Sequence, residues 1–157
     1  MSERHSAMDR RRAQEFEAFV AGAAGRLLHA ATLLTAEQPG ANPHARRLLT
    51  GALARTYADW DRLRGEDPYD RTRQELAARF ARSAWRWSKV RGGMLGRLTP
   101  QERLILVLRL YEGVAEEQTA ALIGLPVERV RAICARAIGI MRSAPPAPPL
   151  PRVEAAS

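Results

Sequence analysis

Cysteine occurs once, at Cys134, so the chain has neither an internal disulfide nor a cysteine-based zinc site. Its three histidines, His5, His29 and His44, are scattered and lack metal-ligand spacing. No P-loop, glycine fingerprint or G-x-S-x-G turn is present, and no strand precedes Gly92-Gly93. The paired acids Glu116 and Glu117 open a helix, where the dipole favours them without any chemistry. With no catalytic constellation, cofactor site or metal site, the chain reads as a non-enzyme. The longest unbroken aliphatic run, Leu104 to Leu108, is far shorter than a bilayer span. The first residues, MSERHSAMDRRR, lack the apolar core of a secretory signal. The expectation is a cytoplasmic protein without a membrane partner. Strand-like alternation is missing throughout, so the expected fold class is all-α.

Lysine is almost absent too: Lys89 stands alone, and nearly all of the 25 cationic side chains are arginine. Against 17 carboxylates they leave a formal charge of +8, which fits a polyanionic partner. An arginine- and alanine-rich bias is also what a GC-rich genome produces, so the charge alone does not name that partner.

What is present is a series of amphipathic stretches. Residues 1–13 are charged and apolar-poor, and read as disordered. The first helix is expected from about Gln14 to Leu34, with Phe16, Phe19, Val20, Ala23, Leu27, Leu28 and Ala31 near a 3.6-residue repeat. AEQPGANP, residues 36–43, is a loop. The second helix is expected from about His44 to Leu63, with Leu48, Leu49, Ala52, Leu53, Thr56, Tyr57 and Trp60 on one side. Asp67 caps a third, with Pro68 at its first position, running to about Val90 through Leu76, Phe80, Ala84 and Trp87. Residues 91–97, RGGMLGR, are flexible by composition and read as a linker. Residues 144–157 hold five prolines and read as an extended, unpacked tail. The expected organisation is therefore two small helical domains, residues 14–90 and 98–143.

The second domain carries the sharper pattern. Thr99-x-x-Glu102 is a capping box, with Pro100 at the first helical position. Leu104, Val107, Leu108 and Tyr111 form its stripe, and Gly113 ends the helix. A short helix from about Ala115 to Ile123, the turn Gly124-Leu125-Pro126 and a helix from about Val127 to Arg142 have helix-turn-helix spacing. The last helix turns Val130, Cys134, Ala137 and Met141 inward. Its outward positions, Arg129, Arg131, Ala132, Ala135 and Arg136, are the candidate contacts to double-stranded DNA. Each arginine taken singly is also what a solvated face looks like. Ile133 is either a groove or partner contact or the flank of the core.

The runs Leu98 to Arg103, Val107 to Glu112, Ala120 to Leu125, and Val127 through Ala137 resemble region 4 of the sigma-70 family, in its small extracytoplasmic-function-type members. Phe19-Val20, Leu27-Leu28, Leu48-Leu49, Ala52 to Arg55, Tyr57, Trp60, Ala81-Arg82 and Trp85-Arg86 resemble region 2 more loosely. The resemblance implies a transcription initiation factor with promoter DNA and core RNA polymerase as partners. It implies polymerase contacts at Leu48, Leu49, Leu53 and Tyr57, promoter-strand contacts at Arg79, Arg82, Trp85 and Arg86, and an anti-sigma or other protein partner.

The departures point elsewhere. Where the family's core-binding helix opens on acids and a Gln-Glu pair, this chain has His44-Ala45-Arg46-Arg47 and Thr50-Gly51. Reversed charge on a docking helix is repulsive. Ala115 stands where the family often has a capping serine. A linker of about ten residues spans at most ~35 Å when extended. A second expectation is thus a degenerate sigma-like regulatory protein that acts through protein contacts without normal polymerase binding. From Asp67 to Arg97, eight cationic side chains face three carboxylates, with Trp85 and Trp87 interleaved as a candidate single-strand surface. Two apart on a helix, the tryptophans point oppositely: Trp87 is the expected core residue and Trp85 the accessible one.

Overall fold

The computed structural model describes residues 2–87 and 92–143, and among them helices are the only regular elements. Six α-helices follow in chain order: α1 (Ser2–Thr35), α2 (Pro43–Ala58), α3 (Pro68–Arg82), α4 (Pro100–Leu106), α5 (Glu116–Ile123) and α6 (Val127–Arg142). Short 3₁₀ turns cover Trp60–Arg62 and Ala84–Trp87, and a π-helical turn covers Val107–Tyr111. The all-α expectation holds. The proline-rich tail and the end expected for the third helix at Ser88 to Val90 lie outside the described residues.

Residues 2–13 are the first difference from the sequence reading, because α1 already begins at Ser2. This stretch has no apolar face of its own, and residues 2–11 are exposed. It extends a helix that is packed from Arg12 onward, and propagation is far easier than nucleation. Arg12 fixes the junction: its guanidinium lies 4.7 Å from the Tyr57 ring centroid and donates to the Tyr57 carbonyl at 2.6 Å. By length and composition α1 could cross a membrane, a property hidden from a search for unbroken aliphatic runs. Here Ala23, Leu27, Ala30, Ala31 and Leu34 are buried inside the molecule.

Helices α2 and α3 pack as an antiparallel pair. Ala45, Leu49, Ala52 and Thr56 form the buried side of α2, and Thr72, Leu76, Ala77 and Phe80 that of α3. The Thr56 and Thr72 hydroxyls share a buried hydrogen bond of 2.8 Å. Asp67 caps α3 as expected, accepting from the Tyr69 N–H at 3.0 Å. Both helices end earlier than the hydrophobic repeat suggests, because each repeat continues into a 3₁₀ turn. Trp87, 4% exposed, is the core tryptophan, and Trp85 is 72% exposed.

The core does not divide at the expected linker. One cluster of buried side chains runs from Ala30, Ala31 and Leu34 of α1 through Phe80 and Trp87 to Leu104, Leu108 and Ala137. The 92–98 segment is itself packed, with Leu95 and Leu98 buried. Ala36 adopts a left-handed backbone (φ 56°) after α1, and its carbonyl accepts the Gly93 N–H at 2.9 Å. A Cβ on Gly93 would lie 2.3 Å from that oxygen, so glycine serves close approach here rather than flexibility. Arg97 donates to the carbonyls of Ile140 and Ser143 at the end of α6.

Two buried charges in the C-terminal half hold the N-terminal half. Arg103, fully buried, donates to the carbonyls of Leu98 (3.0 Å), Leu34 (3.1 Å) and Trp87 (2.7 Å). Leu34 closes α1, where carbonyls lack intrahelical partners and the dipole is negative. Glu112 is turned inward by the π-turn, in which its N–H bonds to the Val107 carbonyl at 2.9 Å. Its carboxylate accepts the Tyr69 hydroxyl at 2.8 and 2.9 Å and lies 3.5 Å from Arg26 Nε.

Arg103→Met should therefore destabilise the whole chain by about 3–5 kcal/mol, since buried carbonyls lose their donor. Urea unfolding read by tryptophan fluorescence and circular dichroism measures this, and a loss below about 1 kcal/mol would remove Arg103 as the anchor. Burial first, and then the Glu112 carboxylate, raise the Tyr69 hydroxyl pKa above its ordinary 10. A group whose pKa is raised by folding contributes stability that is full below its unfolded value and is lost as pH climbs toward the folded one. Stability should thus fall above about pH 10, and Tyr69→Phe should flatten that fall, as read by urea titrations between pH 8 and 11.

Candidate nucleic-acid interface

Helices α4, α5 and α6 build the interface. The Thr99 cap is complete: its side chain accepts the Glu102 N–H at 3.2 Å, and Glu102 accepts the Thr99 N–H at 2.9 Å. Ile105 of α4, Ala120 of α5 and Val130 of α6 form a small core, flanked by Ile123, Leu125, Val127, Ile133 and Cys134. Gly124 ends α5 in the left-handed region (φ 78°) and makes the tight turn. Pro126 then stands at the N-cap of α6 in an extended conformation. Ile133, half-buried on this core, is its flank.

With Val130 and Ala137 fully buried, the opposite side of α6 is open. Arg129, Arg131, Ala132, Ala135 and Arg136 are all exposed there, together with Gly139 and Arg142. Ala132, Ala135 and Gly139 form a low line along the helix, between Arg129 and Arg136 on one flank and Arg131 on the other. A small-residue line flanked by cations admits close approach to a duplex groove.

The two flanks differ in charge. Arg131 donates to Glu116 at 3.0 and 3.4 Å, and Arg109 Nη2 lies 3.9 Å from the same carboxylate. The Arg131 hydrogen bond is the main cause holding the Glu116 carboxyl below the usual range. Glu117 and Glu128 stand in the first turns of α5 and α6. On the other flank, Arg136 Nε lies 3.9 Å from Glu102 but is itself 79% exposed. Ala115 caps α5 without a side-chain hydrogen bond, so this helix start offers two carboxylates where phosphate would otherwise be welcome.

Residues 94–143 match the family model for sigma-70, region 4. The matched segment, about a third of the chain, is similar to that family's region 4. The match covers α4 to α6 and none of α1 to α3. No curated protein and no solved structure matches the chain.

The residues named for the other two surfaces are placed differently from the region 4 set. Arg79, Arg82, Trp85 and Arg86 cluster at the end of α3. Arg79 Nε contacts Glu75 at 3.1 Å and Arg82 reaches the same carboxylate at 3.7 Å. The Arg86 guanidinium lies 5.0 Å from the Trp85 ring centroid. Leu48, Leu49, Leu53 and Tyr57 face inward: Leu49 is buried with Ala23 and Leu27, and Leu48 and Leu53 pack on core clusters. The Tyr57 ring lies tilted at 51° against Phe16, with 4.8 Å between centroids. The exposed side of α2 consists of Arg46, Arg47, Thr50, Ala54 and Arg55.

Arg103, Glu112 and the Glu116–Arg131 pair escaped the reading of motifs. A signal for Arg103 existed, because it abuts Leu104 to Leu108, a run apolar all round its helix and hence buried on every side. The Glu116–Arg131 pair is fifteen residues apart and has no periodic signature.

Gly51 makes room for Arg79: a Cβ there would lie 2.6 Å from Arg79 Nη1. The guanidinium is the mobile end of its side chain and can swing away. Gly51→Ala should therefore be neutral to stabilising by up to about 1 kcal/mol through helix propensity. A thermal melt showing a loss of about 1 kcal/mol or more would mean that the seat of Arg79 is structural.

Proposed function

We propose that the chain is a sigma-70-like transcription factor that binds promoter DNA by placing α6 in the major groove. The observation that carries this reading is the open side of α6, with Arg129, Ala132, Ala135 and Arg136 exposed while Val130 and Ala137 seal the opposite side. Arg129 and Arg136 lie on the less acidic flank. They are the leading contacts, to base edges or to phosphate. Ala132 and Ala135 let the backbone approach thymine methyls. The factor works in the cytoplasm, where its DNA is.

On this reading the first interaction to test is with duplex DNA. Fluorescence anisotropy over a salt series should give a linear fall of log K with log salt. Arg129→Ala and Arg136→Ala should each reduce the slope by about one unit, and an unchanged slope for both would sink groove binding by α6.

A second reading is that the chain is a sigma-like regulator acting through protein contacts without normal docking on core RNA polymerase. It is favoured by the inward packing of Leu49, Leu53 and Tyr57, which leaves α2 a basic exterior. A pull-down with purified core polymerase at low and moderate salt separates the two. Stable binding supports an initiation factor, and absence of binding at both salts supports the regulator.

A further inference from the structure

The α6 interface is neutralised on one flank by its own scaffold. Arg131 is 63% exposed and could reach solvent or phosphate, yet it lies against Glu116 in a two-pronged contact, Nη2 to Oε2 at 3.0 Å and Nε to Oε1 at 3.4 Å. Glu116 is not a loose surface acid. Its side chain is 25% exposed, it stands in the first turn of α5 where the dipole favours its charge, and it also has Arg109 at 3.9 Å. Arg109 in turn donates to the Val114 carbonyl, which fixes the floor beneath this group. The carboxylate is therefore anchored from the scaffold side, and Arg131 is the mobile partner. Glu117, one residue on, is exposed and stands within ion-pair distance of no cation among the described residues.

We propose that Glu116 is a positioning residue: it holds the Arg131 guanidinium along the α5–α6 junction and withholds it from phosphate, so that duplex binding through α6 carries one backbone contact fewer and a shallower salt dependence. The inference rests on the reading of α6 as the groove-entering helix. Phosphate contacts add affinity for every sequence equally, whereas base contacts discriminate. An arginine already satisfied by a fixed carboxylate releases no counterion when DNA arrives, so it adds little to the salt-dependent, sequence-blind term. Any gain from swinging Arg131 onto phosphate is opposed by leaving Glu116 without its bidentate partner.

The test uses the full chain and two probes, a duplex obtained by selection from a random library with this protein and a 30-base-pair duplex of scrambled sequence. Glu116→Gln removes the charge and keeps an oxygen able to accept from Arg131. Glu116→Ala removes both. Glu117→Gln removes a charge from the same turn that acts on Arg131 only at a distance, without a hydrogen bond or ion pair to it. The expected result is that Glu116→Ala binds the scrambled duplex roughly five- to tenfold more tightly near 0.1 M salt, with a salt slope steeper by about 0.9, the contribution of one added phosphate contact. The selected duplex gains by a similar factor, so the specificity ratio stays while both salt slopes steepen. Glu116→Gln shows the same change in weaker form, and Glu117→Gln leaves the slope unchanged. Adding Arg131→Ala to Glu116→Ala should return the slope to the wild-type value.

An unchanged salt slope in Glu116→Ala overturns the inference. So does an equal effect from Glu117→Gln, which would make the flank a general acidic screen. Circular dichroism melts of each variant exclude loss of the α5 turn as the cause. If neither the wild type nor any variant binds duplex DNA, groove binding by α6 fails first and this inference with it.

Discussion

A buried guanidinium organises this molecule. Arg103 sits in α4 with its donors on carbonyls from three places, the end of α1, the 84–87 turn and the residue before the α4 cap. A cation without water needs acceptors on every side, and helix ends supply them because their last carbonyls are unpaired. The demand is mutual, since those carbonyls would otherwise be buried without donors. Arg103 thus ties the start of the helix-turn-helix half to the ends of two N-terminal elements. Glu112, buried among Tyr69, Arg26 and Arg73, makes a second tie at the far end of the π-turn.

Two ties and a shared apolar cluster make one body of what reads in sequence as two domains. The open side of α6 and the arginine cluster at the end of α3 are therefore held at a set distance. The tight run past Gly93 reinforces this, because the chain between the halves is bonded to Ala36 instead of swinging free. A protein built this way presents a compact surface to a partner, in contrast to two modules that adjust their spacing along a duplex.

Charge is distributed with similar economy. Most of the arginines named from sequence already have an internal carboxylate or ring: Arg131 with Glu116, Arg79 and Arg82 with Glu75, and Arg86 over Trp85. A formal charge of +8 accordingly overstates the sites ready to meet a polyanion. Arg47 on the exterior of α2 and Arg129 on α6 are exposed and lie within ion-pair distance of no carboxylate among the described residues.

The helices and their caps were legible locally. Thr99-x-x-Glu102, Asp67-Pro68, Gly124 and the inner stripe of α6 all depend on contacts within a few residues, which spacing records directly. The exposed set Arg129, Arg131, Ala132, Ala135 and Arg136 follows from the same periodicity, as does the choice of Trp87 over Trp85 for the core. The sequence by itself therefore determined the all-α class, the helix-turn-helix and its outward side. Only the tertiary structure decided which charges are spent internally, whether Gly93 marks flexibility or close approach, and that the two halves share a core. Those outcomes rest on pairs such as Arg103 with Leu34, Tyr69 with Glu112 and Arg131 with Glu116, far apart in the chain. A hydrophobic period carries no record of such pairs, because it reports which side of a helix is covered and not what covers it.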